Sequence, residues 1–132
     1  MTYTIRPCTP ADAAMLSLIA QATFLDAFAD LLDGDDLLAH CRKNLSEEAH
    51  LKWLAHPDAR LWLAFSQAGK APIGYAGLSA PDLPIETSPD DIELKRFYLL
   101  ARAHGRGVAQ GLMEAAAAEA RAMGKRRMLL GV

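Results

Sequence analysis

The sequence predicts a mixed α/β domain built on a mainly antiparallel sheet flanked by helices. Three observations lead there. Apolar helical spacings fill the first half, two β-type runs follow across a short turn, and a long apolar strand then passes through glycines into an alanine-rich helix. At 132 residues the chain is the size of one domain, and folding at that length buries roughly two-thirds of the surface. Residues 1–132 are therefore read as a single domain. Hydrophobic residues make up 52%, charged residues 23% and aromatics 7%, a balance that excludes disorder, collagen-like repeats and disulfide-dense small folds.

Tyr3 to Arg6 alternates as a strand does. Thr9-Pro10-Ala11-Asp12 then supplies a capping residue, a proline suited to the first helical position and an acid at the third. Met15, Leu18, Ile19, Ala22, Leu25 and Phe28 recur at spacings of three and four, which predicts an amphipathic helix with those residues on its buried face. Asp33-Gly34-Asp35 punctuates it, and a short helix from Asp35 to Lys43 ends near Asn44. Ser46 caps another that carries Leu51 and Leu54 and stops at His56-Pro57. Arg60 to Phe65 and Ile73 to Leu78 form a hairpin across Gln67-Ala68-Gly69-Lys70. Pro81 to Asp90 is a proline-rich loop, and Ile92 to Leu100 a long apolar strand. Gly105 to Met123 is a helix with an apolar stripe of Val108, Leu112, Ala116, Ala120 and Met123. Gly124 ends it, and Met128 to Val132 begins a further strand.

The net charge of −2 provides no positive field to draw the chain onto nucleic acid or an anionic membrane. Cys8 and Cys41 lack metal-ligand spacing and form no disulfide framework, so they read as reduced thiols in a cytoplasmic protein with no metal site. The first residues contain no apolar run of signal-peptide length, and no window approaches 18 uncharged apolar residues. His40, His50 and His56 fit no metal pattern and are expected at the surface or its boundary, whereas Trp53 and Trp62 are expected in the core.

The chemistry is concentrated where the strand Glu93-Leu94-Lys95-Arg96-Phe97-Tyr98-Leu99-Leu100 meets Arg102-Ala103-His104-Gly105-Arg106-Gly107-Val108-Ala109. A strand, a basic glycine loop and a helix N-terminus together build an anion site. The first helical N–H groups are free, the dipole end is positive, and glycines let an oxygen approach the backbone. A P-loop is excluded, because GxxxxGK[ST] is absent. A dinucleotide fingerprint needs glycine three residues after Gly107, where Gln110 stands.

His104-Gly105-Arg106-Gly107-Val108-Ala109 resembles the pyrophosphate loop of the GNAT superfamily of N-acetyltransferases, Gln/Arg-x-x-Gly-x-Gly/Ala, with histidine at the first position. Gly74-Tyr75 in the third strand, the strand from Glu93 to Tyr98, the start of the fifth strand at Leu129-Leu130-Gly131-Val132 and the order of elements extend the likeness over nearly the whole chain. They point to the polyamine- and small-amine-acetylating branch. Superfamily members continue past the fifth strand into a helix and two more strands, so the resemblance implies a fold lacking that last helix and two strands. It also implies an open fifth-strand edge available for a homodimer.

The resemblance implies acetyl-CoA as co-substrate and a small-molecule amine, a polyamine included, as acceptor. Cofactor contacts would come from Leu99, Leu100, Arg102, His104, Gly105, Arg106, Gly107, Val108 and Ala109. The backbone amides from His104 to Ala109 would wrap the pyrophosphate, and a free N–H near Leu99 or Leu100 would face the thioester oxygen. An alkylammonium of pKa near 10.4 costs roughly 4.6 kcal/mol to deprotonate at neutral pH. Glu93 stands where several GNAT enzymes carry the general base; otherwise it is a strand-end carboxylate paired with Lys95 or Arg96. Asp33, Asp35 and Asp36 lie in the region that lines the acceptor pocket and would attract a cationic amine, unless they serve as helix caps. Tyr98 reads as core rather than as a proton donor. The alternative function is a non-catalytic acyl-CoA-binding or protein-interaction module of the same fold. A regulatory nucleotide binder is a third reading.

Overall fold

A computed structural model describes residues 2–131. The order is β1 (Tyr3–Pro7), a 3₁₀ turn (Pro10–Asp12), α1 (Ala13–Phe28), α2 (Gly34–Asn44), α3 (Glu47–Leu54), β2 (Arg60–Ser66), β3 (Pro72–Ser79), β4 (Asp91–Leu99), a 3₁₀ turn (Ala101–Ala103), α4 (Val108–Ala122) and β5 (Arg127–Leu129). The expected mixed α/β class is present as one sheet in the order β1-β2-β3-β4-β5. Its pairs are antiparallel up to β4, and β4 pairs with β5 in parallel. A parallel step needs a crossover, which α4 provides.

The sheet is covered on both faces. Trp62, Ala64, Ala76, Leu78, Ile92 and Leu94 pack on the α4 stripe of Val108, Leu112, Ala116 and Ala120, as expected from its periodicity. On the other face Leu61, Leu63, Phe65 and Tyr75 meet Leu16, Ile19 and Ala20 of α1 together with Leu45. Local signals hold the first half in place. Asp33 accepts the Asp35 N–H at 3.0 Å, and Ser46 Oγ accepts that of Ala49 at 3.1 Å. Asp12 accepts from Thr9 N at 2.8 Å and takes a two-pronged bond from Arg6 on β1.

Two expectations are corrected. The buried face of α1 carries Ala13, Leu16, Ser17, Ile19, Ala20 and Thr23, while Leu18 and Leu25 are exposed. This helix is apolar nearly all round, so spacing alone did not select its inner side. The stretch Pro10–Phe28, which carries Asp12 and Asp26, has a mean hydropathy of 1.2 and is long and apolar enough by length and composition to cross a membrane. Here it lies against the sheet. His50 is fully buried rather than at the boundary, with Nδ1 2.9 Å from the Ser46 carbonyl. Burial, aided by the charge of Arg96, pushes its pKa below the ordinary histidine value, with the Ser46 bond opposing.

β5 is tied to β4 at one end only. Arg127 clasps Asp91 side-on, Nε to Oδ1 at 2.8 Å and Nη2 to Oδ2 at 2.7 Å, and Ser88 N–H adds a bond at 2.9 Å. These bonds, that of Arg127 first, hold the Asp91 pKa down at about 2, below the roughly 3.9 of an unfolded aspartate. A depressed folded-state pKa contributes stability above the unfolded value and loses it as pH falls through the folded one. The urea midpoint of the wild type should therefore fall between about pH 4 and pH 2, and that of Asp91→Asn should fall less over the same window. Equal slopes would show that the clasp contributes nothing to acid stability.

Candidate active site

The pairing of β4 with β5 covers only Asp91–Glu93 against Arg127–Leu129. β5 ends at Leu129, opposite Glu93, and β4 runs on to Leu99 with that edge unpaired among the described residues. Leu100 N–H donates to Ile73 O at 2.9 Å, so alternation along an antiparallel strand turns the N–H of Leu99 away from β3 and toward the unpaired edge. Of the two candidate donors the structure keeps Leu99. The expectation for the Leu100 amide is corrected, because β3 already holds it.

The glycine loop closes this end. Gly105 and Gly107 have φ of +75° and +82°, a conformation that costs an L-residue with a side chain about 1–2 kcal/mol. These two turns delay the start of α4 to Val108, three residues later than the apolar pattern suggested. Val108 is fully buried and pins the helix end, whereas Arg102, His104 and Arg106 are exposed around it. Tyr3 of β1 donates its hydroxyl to Gly107 O at 2.9 Å and braces the loop from beneath, a contact that no local sequence signal announces. From Gly105 to Gln110 the backbone N–H groups find no acceptor among the described residues. His104 is different, for its N–H is spent on Ala101 O at 3.2 Å. The cradle thus begins one residue later than expected.

On the opposite face of β4, a bulge sets which way the side chains turn. Leu94 pairs with Leu78 and Arg96 with Gly77, so Lys95 is left without a partner. The extra residue inverts the alternation. Ile92, Leu94, Phe97 and Leu99 consequently all face α4, while Tyr98 joins the α1 side. The signal was present as a change of apolar phase, 92 and 94 followed by 97 and 99, but a reading of one uninterrupted apolar strand overlooks it.

Arg96 and Lys95 stand between two cavities. The inner one, about 210 Å³, has walls that include Thr23, Phe24, Phe28, His40, Tyr75 and Tyr98. The outer one, about 400 Å³, has Lys52, Trp53, His56, Asp58 and Ser79 among its walls. Arg96 Nη1 donates to the Tyr75 hydroxyl at 3.2 Å, and its guanidinium lies 5.3 Å from the Trp53 ring centroid. Trp53 fits there because Gly77 lacks a side chain: a Cβ would stand 2.5 Å from its Cη2. Trp62 is in the core as expected, but Trp53 is only partly buried. His40 stacks on Phe24 at 4.2 Å, and burial, then Arg96, lowers its pKa. Tyr98 is half-buried and lines the inner cavity.

Glu93 is 7% exposed, and its Oε1 accepts the N–H of Asp82 at 2.8 Å. It pairs with neither Lys95 nor Arg96, which corrects the ion-pair reading, and it lines neither cavity. Asp33, Asp35 and Asp36 sit at the exposed N-terminus of α2, with Asp33 as its cap. The structure does not bring these three acids to the cavity walls.

The model of the acetyltransferase (GNAT) family matches residues 25–132. An uncharacterised N-acetyltransferase of Mycobacterium bovis is 32% identical over 121 residues, covering 92% of this chain and 72% of the relative, and one from Mycobacterium tuberculosis matches equally. Among solved structures, the PaiA N-acetyltransferase of Thermoplasma acidophilum in complex with coenzyme A aligns with a TM-score of 0.83 at 20% identity, over 100% of this chain and 80% of that one. A GCN5-related N-acetyltransferase from Ralstonia eutropha aligns with a TM-score of 0.75 at 23% identity, covering 99% and 84%. The family model covers most of the chain, the relatives span nearly all of it, and the chain belongs to the GNAT family of acetyltransferases.

Proposed function

We propose that the protein transfers the acetyl group of acetyl-CoA to the amine of a small molecule in a direct ternary complex. The observation that carries this reading is the row of unbonded N–H groups from Gly105 to Gln110 at the N-terminus of α4, beside the edge of β4 that is unpaired past Glu93 among the described residues. Donors so arranged suit a diphosphate, and the unpaired edge of β4 leaves room for the arm that joins it to the thioester. Arg102 and Arg106 add positive charge at the loop.

In the reaction the amine nitrogen attacks the thioester carbonyl carbon, a C–N bond forms, the C–S bond breaks, and an amide and the CoA thiol result. The Leu99 N–H faces the side on which the carbonyl oxygen would gather negative charge. The proton released by the ammonium passes to Glu93 in this reading, with Oε2 as base while Oε1 keeps the Asp82 N–H. Glu93→Gln separates this role from a structural one, because the amide oxygen retains the acceptor and loses the basicity. The variant should keep its melting temperature and its affinity for acetyl-CoA while kcat falls about 10²- to 10⁴-fold. Unchanged kcat in a CoA-release assay would make Glu93 a tether of the 80–90 loop.

A further inference from the structure

The cavities beside β4 carry the wrong charge for a simple cationic amine. Their walls contribute the cations Lys52, Lys95 and Arg96 against one carboxylate, Asp58, in the outer cavity. Among the described residues neither Lys95 nor Arg96 is in an ion pair, the three pairs found being Arg6–Asp12, Lys52–Glu48 and Arg127–Asp91. Arg96 is also held in place: Trp53 lies against its guanidinium, the Tyr75 hydroxyl takes one N–H, and the bulge at Lys95 turns the side chain to this face. A partly buried guanidinium fixed by aromatic rings, with donors left over and no carboxylate of its own, is a receptor for a planar anion.

Resting on the acetyltransferase reading, we propose that the acceptor is an amino acid: Arg96 takes its carboxylate, and an apolar or aromatic side chain enters the inner cavity among Phe24, Phe28 and Tyr98. Arg96 and the Leu99 N–H are three residues apart on one strand. A long polyamine would meet like charge at Arg96 and Lys95. The chemistry differs from that of the acidic cluster on α2, which reaches neither cavity.

The test measures CoA release with phenylalanine and leucine against their decarboxylated counterparts, phenethylamine and isoamylamine, and against spermidine. Phenylalanine or leucine should be preferred. Arg96→Met should raise the KM for the preferred amino acid roughly 10- to 100-fold, leave that for the matching amine within about twofold, and leave acetyl-CoA affinity unchanged. Preference for spermidine or the decarboxylated amines, or an equal loss on both classes in Arg96→Met, overturns the assignment while the acetyltransferase reading stands. Tryptophan fluorescence gives a readout independent of turnover, with phenylalanine titrated into the wild type and Arg96→Met. Saturable binding that needs Arg96 supports the carboxylate site even if acetyl-CoA fails to bind, and its absence overturns the site even if acetyl-CoA binds well.

Discussion

Gly107→Glu should weaken acetyl-CoA binding by roughly 10²-fold in isothermal titration, with the fold retained. Two costs combine. At φ of +82° a side chain strains the backbone, by about 1–2 kcal/mol, and relief of that strain would rotate the N–H groups that line the cradle. The new carboxylate also sits beside the diphosphate and competes for the same donors, a like-charge penalty of about 1–2 kcal/mol when partly screened. At about 1.4 kcal/mol per factor of ten the sum corresponds to two decades. Space is not the obstacle, because the nearest atom to a Cβ there is the Tyr3 hydroxyl at 3.6 Å. Gly107→Ala should consequently lose only the strain component, about tenfold. Equal affinity for wild type and Gly107→Glu would remove the loop from the cofactor site and the proposed reaction with it.

Leu16→Ala should destabilise the protein by about 2–5 kcal/mol, a large share of the roughly 5–15 kcal/mol that holds a domain together. Leu16 is fully buried in the cluster with Ile19, Leu45, Leu61 and Leu63, where truncation leaves a cavity. Leu18, two positions on and of identical chemistry, is 59% exposed, and its alanine variant should stay within about 0.5 kcal/mol of wild type. Urea unfolding of the two variants checks the orientation of α1 directly. A larger effect at Leu18 would restore the face inferred from spacing.

That pair of leucines marks one boundary of what spacing can tell. In α4, alanines and polar residues alternate with Val108, Leu112, Ala116 and Ala120, so only one face is apolar enough to bury, and the expected stripe is the observed one. In α1 almost every position is apolar, several faces are equally acceptable to the helix, and the sheet selects among them. Glycine chemistry was legible for a different reason. Gly105 and Gly107 adopt conformations that other residues avoid, so their presence beside a strand and a helix start reports the backbone itself. The offset at His104 was not legible, because the 3₁₀ turn that consumes its N–H depends on Leu100 being held by Ile73.

The amino-acid sequence by itself determined the element order, the strand-to-helix junction and the glycine turn, since each follows from local conformational preference and short-range periodicity. Tertiary structure alone decided which residues line the two cavities beside β4. The bulge at Lys95 exists because β4 must pair with β3 around Gly77, and Arg96 is set against Trp53 only after α3 has packed on that glycine. Both depend on contacts between segments distant in the chain, and no local preference encodes them.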